Sequence, residues 1–571
     1  MAKPPHESMS GDMKDLTKEQ SWEEIMRTIR ANLDPGDNSF EDKLVKLEGL
    51  VQYYKKEKSL KHHRQNPRQA VPPIISELLE QQNERIFKDP LMSILQHSYK
   101  NIENLKLKDC LLSFAIFPED SIIKKRSLIY WWIGENLVSQ TGEKTAEEVG
   151  EEFYNELLKQ GLIEPDDNDP SPLMNRCKMH PWIRYMLISE AKEEGLFNFK
   201  PNISEAKEEG FYFKPKGETS TEVPRGSSSN RSCLHSKCLR LMVGGDDGPK
   251  YRDPAKNEDV STMFNVNQQY LSLQSHLLLN MKQMAVLQLG RWQHSPKYHI
   301  EVDDQKFLNG LGVHHKHLKF LSLRGISRIT TLPNSIVELV SLEILDLRAC
   351  HNLEKLPEDI ASLKKLTHLD VSECYLIERM PKGTERLSSL QVLKGFVIGT
   401  ARKNPCRISD LRKLTELRRL SISIGRGAAI RDVEFASLKE LASLRSLTIS
   451  WGVTSPGQLS LEINPFLPQQ LEKLELIGMP VKSTPKWLNP HELKKMKKLY
   501  IIGGELASWD HQQQNEQWSV EILRLKHLTK LSIGNEEDVL KKFPRLEYFE
   551  KINCADHDIL WYRSTAAAKG L

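Results

Sequence analysis

Cysteine is scarce in this chain: eight in 571 residues, unevenly spaced, which excludes a disulfide framework and reads as reduced thiols of an intracellular protein. Charge of one sign is equally lacking. Lys plus Arg number 81 against 77 Asp plus Glu, a net of +4, so there is no global electrostatic footprint for a polyphosphate backbone and nucleic acid is not an expected partner. Long apolar runs are missing too. The longest near the front, Leu111-Leu112 and Phe114 to Phe117 around Ser113, falls far short of the ~20 residues that cross a bilayer. Met1 to Asp15 is polar, without the apolar core of a secretory signal. A cytoplasmic protein with no membrane span is expected. At roughly 150 residues per domain, this length holds three or four structural units.

What the chain does have is a period. The template Leu-x-x-Leu-x-Leu starts at Leu318, Leu342, Leu366 and Leu390, 24 residues apart, then at Leu417, Leu444 and Leu471, 27 apart. Weaker copies are read at Met496 (Leu499, Ile501) and Leu528 (Leu531, Ile533), and one before the array at Met284 (Leu287, Leu289), making about ten units. This is the signature of the leucine-rich repeat, in which a short strand and a return segment form one coil of a solenoid. The leucines stack on those of the next coil, each contributing about 1.5–3 kcal/mol of transfer free energy. Leu332-Pro333, Leu356-Pro357 and Met380-Pro381 recur in phase, where proline ends the ladder. Cys350 and Cys374 fall at the Asn/Cys position of the template and read as inward-facing structural thiols.

The first half has no such period. Helical stripes run through Trp22, Ile25, Met26, Ile29 and Leu33, and through Phe40, Leu44, Leu47, Val51 and Tyr54, within a charged N-terminal segment, residues 1–88. Residues 89–195 form a compact helical domain in which Cys110, Leu111 and Phe114 share one face. Ala146, Val149, Phe153 and Leu157 share a face of another helix, which starts at a Thr145/Glu148 capping box and ends at Gly161. A near-duplication, Ser189 to Gly195 and Ser204 to Gly210, leads into a Gly/Ser/Pro-rich stretch, and residues 196–230 read as a flexible linker. Residues 231–571 are the repeat domain, with Cys238 to Val243 as its first strand.

Phe117-Pro118-Glu119-Asp120, Ile123-Lys124-Lys125, Leu128 to Ile133, Glu147-Glu148-Val149, Tyr154 to Leu157 and Cys177-Lys178-Met179-His180 occur in a fixed order. In that order they closely resemble the winged-helix region of plant nucleotide-binding leucine-rich-repeat (NLR) immune receptors, the coiled-coil class of disease resistance proteins. The fold class implied is α/β: a leucine-rich-repeat horseshoe preceded by a mostly α-helical winged-helix domain. The resemblance implies plant innate immunity by recognition of a pathogen effector or guarded host protein, with other NLR receptors as further partners. The family's phosphate loop, G-x-x-x-x-G-K-[ST], is absent from these 571 residues, and its Met-His-Asp motif stands as Met179-His180-Pro181. The family His contacts ADP phosphates; here ADP/ATP binding is expected lost and His180 is expected to be structural.

No catalytic site is expected. Cys233, His235 and Cys238 lack a second ligand pair for zinc, His314, His315 and His317 read as exposed loop residues, and Asp556-His557-Asp558 has no nucleophile nearby. The residues between leucines alternate to the concave face and are the expected protein-binding surface: Phe320, Ser322, Arg324, Asp346, Arg348, His368, Asp370, Arg419, Thr448, Lys473, Lys498, Tyr500 and Lys530. Two rival readings are DNA binding through Lys124, Lys125 and Arg126 on the winged helix, and a substrate adaptor of a ubiquitin ligase.

Overall fold

The computed structural model describes residues 90–193, 197–198, 239–243 and 260–562, apart from short internal stretches (119–120, 167–171, 267, 272–277, 279–280, 293–298, 400–404, 426–427, 429–431, 453–462, 510–516, 535 and 556–557). The N-terminal helical stripes, the linker apart from residues 197–198, and the Cys233/His235/Cys238 group lie outside the described residues. The chain divides into two compact units near residue 250.

In the first unit, helices α1 (Pro90–Lys100), α2 (Leu105–Leu112), α3 (Lys125–Gly134), α4 (Ala146–Lys159) and α5 (Pro181–Glu193) surround a small antiparallel sheet of β1 (Ile123–Lys124), β2 (Glu164–Pro165) and β3 (Arg176–Lys178), ordered β1-β3-β2. The core is aromatic: Phe114 lies 6.4 Å from Trp132 and Phe117 6.0 Å from Trp131. The buried Trp132 indole donates to Ser113 Oγ at 3.0 Å, so its polar edge is satisfied. The capping box at Thr145 and Glu148 is formed, and Gly161 takes the left-handed conformation (φ 66°) just after α4. The buried stripe of α4 is displaced from the expected one: Gly150, Tyr154 and Leu157 are buried, while Ala146, Val149 and Phe153 are half-buried. Gly150 decides this, since a Cβ there would stand 2.6 Å from Ile129 and its absence lets α3 and α4 approach. Strands β4 (Phe197–Asn198) and β5 (Leu239–Val243) pair in parallel beyond α5.

The second unit is the solenoid. A two-stranded piece, β7 (Tyr270–Leu271) with β9 (Glu301–Val302), accompanies its early coils. Its main sheet runs through β6 (Val260–Asn265), β8 (Val286–Gln288), β10 (Phe320–Ser322), β11 (Ile344–Asp346), β12 (His368–Asp370), β13 (Val392–Ile398), β14 (Arg419–Ile424), β15 (Ser446–Trp451), β16 (Lys473–Met479), β17 (Lys498–Gly504), β18 (Ile522–Lys526), β19 (Tyr548–Ile552) and β20 (Ile559–Tyr562). All neighbours are parallel except the last, β19 with β20, which closes the ladder antiparallel. One residue per strand stacks in register, Met263, Leu287, Leu321, Leu345, Leu369, Leu393, Leu420, Leu447, Leu474, Leu499, Leu523, Phe549, and all are at most 2% exposed.

The change of period from 24 to 27 coincides with a bulge. In β13 the register slips between Leu393 and Phe396, with Gly395 at φ 78° pressed to where a Cβ would lie 2.6 Å from the Val371 carbonyl carbon. Phe396 therefore takes the third apolar position, and strands lengthen from three residues in β8 and β10 to β12 to five to seven in β14 to β19. Cys350 and Cys374 form a second ladder: their thiols donate to Leu323 O and Leu347 O, both at 3.1 Å, one coil back. Burial pushes the Cys350 thiol up to about 12, which keeps it protonated and inert.

Two late coils depart from the expected template. The copy read at Leu528 is wrong: the strand is Ile522–Lys526, built on Val520, Leu523 and Leu525, and Lys530 sits in the return segment paired with Glu505. A further coil, Leu546, Phe549, Lys551 and Cys554, follows it; a buried lysine in the third apolar place conceals the pattern. His315 is also a correction. It is fully buried, with Nδ1 3.3 Å from Leu311 O and Nε2 2.8 Å from Leu278 O, while His314 and His317 are exposed as expected.

Candidate functional site

Strand alternation turns every second residue away from the leucines, and the parallel register arranges these in rows. One row reads Val286, Phe320, Ile344, His368, Val392, Arg419, Ser446, Lys473, Lys498, Ile522, Tyr548. A second reads Gln288, Ser322, Asp346, Asp370, Lys394, and beyond the bulge Ser421, Thr448, Glu475, Tyr500, Arg524, Glu550. The rows change character along the array.

In the early coils the expected protein-binding face is largely covered. Phe320, Arg324 and His368 are buried. The reason lies in the row itself: Phe320 stands between Val286 and Ile344, and His368 between Ile344 and Val392, at the ~4.8 Å strand spacing where large side chains shield one another. The second row is a closed charge network. Arg348 reaches Glu373 Oε1 through Nε at 3.1 Å and Nη2 at 2.5 Å, and its backbone N–H donates to Asp346 at 3.1 Å. Asp370 accepts from Ser372 N at 3.0 Å and Lys394 Nζ at 3.3 Å. The two aspartates, opposite each other in register, are driven apart. Burial raises the Asp346 carboxyl, with Asp370 adding to the rise against the pull of Arg324. Burial would raise Asp370 as well, but Lys394 and Arg348 outweigh it and hold that carboxyl low. Burial, then Arg324, lowers Arg291, a member of this network that the sequence template does not mark because it follows the strand.

The middle coils are open. Arg419, Ser421, Ser423, Ser446, Thr448, Ser450, Lys473, Glu475 and Lys498 are half-buried. Lys473 donates to Glu475 at 2.9 Å and lies 4.5 Å over the Tyr500 ring. Tyr500 is buried rather than exposed, because Arg524 also covers it, 5.1 Å from the ring, and stands 5.3 Å from the Tyr548 ring. Burial pushes the Tyr500 phenol up to about 12. Arg524, Tyr548 and Glu550 were missed by the template misplacement at Leu528; the 24-residue step from Met496 to Val520 was the signal that could have found them.

On the first unit, the degenerate motif has a structural part. Met179 is buried, Pro181 is the first residue of α5, and His180 Nδ1 accepts from Trp182 N at 3.2 Å in the manner of an N-cap. Lys125 is buried with its ammonium 5.3 Å from the Tyr154 ring and Lys124 is half-buried, so of the triplet Lys124 to Arg126 only Arg126, 4.0 Å from Glu147, is exposed. Among the described residues no group of three or more His, Cys, Asp or Glu could hold a metal, and no helix is long and apolar enough to cross a membrane.

The parallel ladder of leucine-lined coils that makes up the second unit defines a leucine-rich-repeat protein. Residues 268–557, more than half of the chain, match the family model described as leucine-rich repeat region, and the chain belongs to that family. Residues 116–187 match the disease resistance protein winged helix domain. Among curated relatives, disease resistance RPP13-like protein 4 of Arabidopsis thaliana is 30% identical over 453 residues, 78% of this chain and 48% of its own length. Disease resistance protein RPP8 of Arabidopsis thaliana is 27% identical over 62% of this chain and 35% of its own. The chain thus spans about half or less of the relatives it matches. The leucine-rich-repeat protein LIC12759 of Leptospira interrogans, a solved structure, covers 55% of this chain at 19% identity with a TM-score of 0.32.

Proposed function

We propose that this protein acts in plant disease resistance as a non-enzymatic, cytoplasmic recognition component whose middle coils, β14 to β17, bind a pathogen effector or a guarded host protein. The observation that carries this is the change in the two rows: apolar or joined in the Asp346/Asp370 charge network up to Lys394, then half-buried, hydroxyl-bearing and mixed in charge from Arg419 to Lys498, where Lys473 pairs with Glu475. Arg and aromatic side chains on a rigid sheet supply most contact energy in protein interfaces. Arg348 and Asp370 are not the residues to reverse, because both are fixed within the early network and their loss would disturb the coils themselves. The double variant Arg419→Glu/Lys473→Glu, checked for unchanged circular dichroism, is expected to reduce capture of the partner in pull-down at least tenfold. Undiminished capture would remove the middle coils from the interface.

The proposal includes no nucleotide switch in the winged helix of this chain. His180 is committed to the start of α5, and proline follows where the family has a carboxylate. Protein purified without added nucleotide is expected to release less than about 0.1 equivalent of ADP on acid denaturation, as no phosphate loop is there to hold it. Stoichiometric ADP would refute the reading of His180.

A further inference from the structure

The repeat supplies an internal control for one of its buried charges. Arg324 and Arg348 hold the same place in successive coils, just past the third leucine of the template, and the chain beyond them follows one path: Gly325 N donates to Arg348 O at 2.9 Å and Ala349 N to Ser372 O at 2.8 Å. The residue 25 positions ahead of Arg348 is Glu373, whose Oε1 accepts from both Nε and Nη2. The residue 25 positions ahead of Arg324 is Ala349, in the same left-handed backbone (φ 59° against 62°) but with no carboxylate to offer. Among the described residues the Arg324 guanidinium accordingly makes no hydrogen bond and no ion pair, although the residue is only 8% exposed and its Nε is sealed from solvent.

The neighbouring coils add to the imbalance. Arg291, from the coil before, bonds its backbone N–H to Arg324 O at 2.8 Å, and its side chain crosses Gly325, where a Cβ would stand 2.7 Å from Nε. Glu373 lies in electrostatic reach of all three arginines but bonds to Arg348. With Lys394, four cations face three carboxylates among the described residues, Asp346, Asp370 and Glu373, an excess of one positive charge. A guanidinium with so little water and no fixed acceptor is unfavourable, and one further carboxylate would supply the acceptor and cancel the excess. Arg291 and Arg348 are half-buried, so the cluster is open at its rim. Tyr375, 75% exposed, stacks on His351 at 5.5 Å, and His351 Nδ1 lies 2.9 Å from Glu373 O. A carboxylate carried on a polypeptide would therefore arrive beside an exposed aromatic ring that adjoins the Arg348–Glu373 pair, the kind of side chain that protein interfaces favour.

We propose that Arg324, flanked in the adjacent coils by Arg291 and Arg348, is a docking point for the side-chain carboxylate of an acidic segment of a partner protein, separate from the β14 to β17 face. The incoming carboxylate does for Arg324 what Glu373 does for Arg348. The probe is immobilised biotinyl-Gly-Ala-Glu-Ala-Glu-Ala-amide, titrated with the full chain by biolayer interferometry at physiological salt, with the glutamine counterpart as control. Saturable binding to the glutamate peptide is expected, weakened at least fivefold by Arg324→Gln and less by Arg324→Lys, which keeps the charge but loses the planar fork. No ion pair within the fold depends on Arg324, so the urea midpoint of Arg324→Gln should not fall below that of the wild type. Arg419→Glu/Lys473→Glu should leave peptide binding unchanged, which separates this site from the proposed recognition face. Equal binding of the glutamine peptide, wild-type affinity in Arg324→Gln, tighter binding of a phosphoserine counterpart or a lowered midpoint would each overturn the assignment.

Discussion

Leu345→Ala should destabilise the repeat unit by about 2–5 kcal/mol, the range for a buried leucine whose surroundings cannot close the gap. Leu345 is 1% exposed and stands in register between Leu321 and Leu369, both fully buried, so the void opens against two coils at once. Each coil of a solenoid is stable only through its neighbours, and a weakened junction lowers the protection of the coils on both sides. Ile502→Ala, on the opposite strand face and half-buried, is the control and should cost under about 1 kcal/mol. Hydrogen exchange across β10 to β12 for the first and across β16 to β18 for the second, with urea unfolding of the whole chain, reads both. Equal losses at the two positions would mean that stacking on the leucine side is not the main source of stability.

The second large effect concerns two residues that sequence alone treats as equivalent. Asp370→Asn is expected to cost about 1.5–3 kcal/mol at neutral pH, since it removes an ionised acceptor from Lys394 and from Ser372 N. Asp346→Asn should be neutral or stabilising there, because burial makes its charge unfavourable and the amide still accepts from Arg348 N. The pH dependence follows from the directions. The Asp370 carboxyl is lower in the folded state than in the unfolded chain, so its contribution is complete above the ordinary carboxylate value near 3.9 and is lost as pH falls through the folded value. The gap between wild type and Asp370→Asn should therefore close on acidification. For Asp346 the folded carboxyl is the higher one, so its penalty is absent below about 3.9 and grows as pH rises through the folded value. Matched stability-against-pH curves for the two variants would contradict this account.

The rows also show why the face of a repeat is harder to read than its core. Phe320, His368 and Tyr500 are placed on the correct strand face by alternation, yet all three are covered by neighbours 24 to 34 residues away in sequence. Whether such a residue is open depends on the size and charge of those neighbours. The same limit hid the partnership of Arg348 with Glu373, since Glu373 lies past the strand with φ 62° and off the template.

The amino-acid sequence by itself determined the coil: a leucine period records which side chains must leave water, Cys350 and Cys374 recur at one place in that period, and the Thr145/Glu148 cap lies within one helix turn. Tertiary structure alone decided what the coils do to one another. The Gly395 bulge sets which residues face across β13 and β14, the buried Lys551 masks a final coil, and register pairs Asp346 with Asp370 and Tyr375 with His351. Period reports a residue's own preference for burial; exposure, pairing and charge on the outward face belong to residues brought together only when the coils stack.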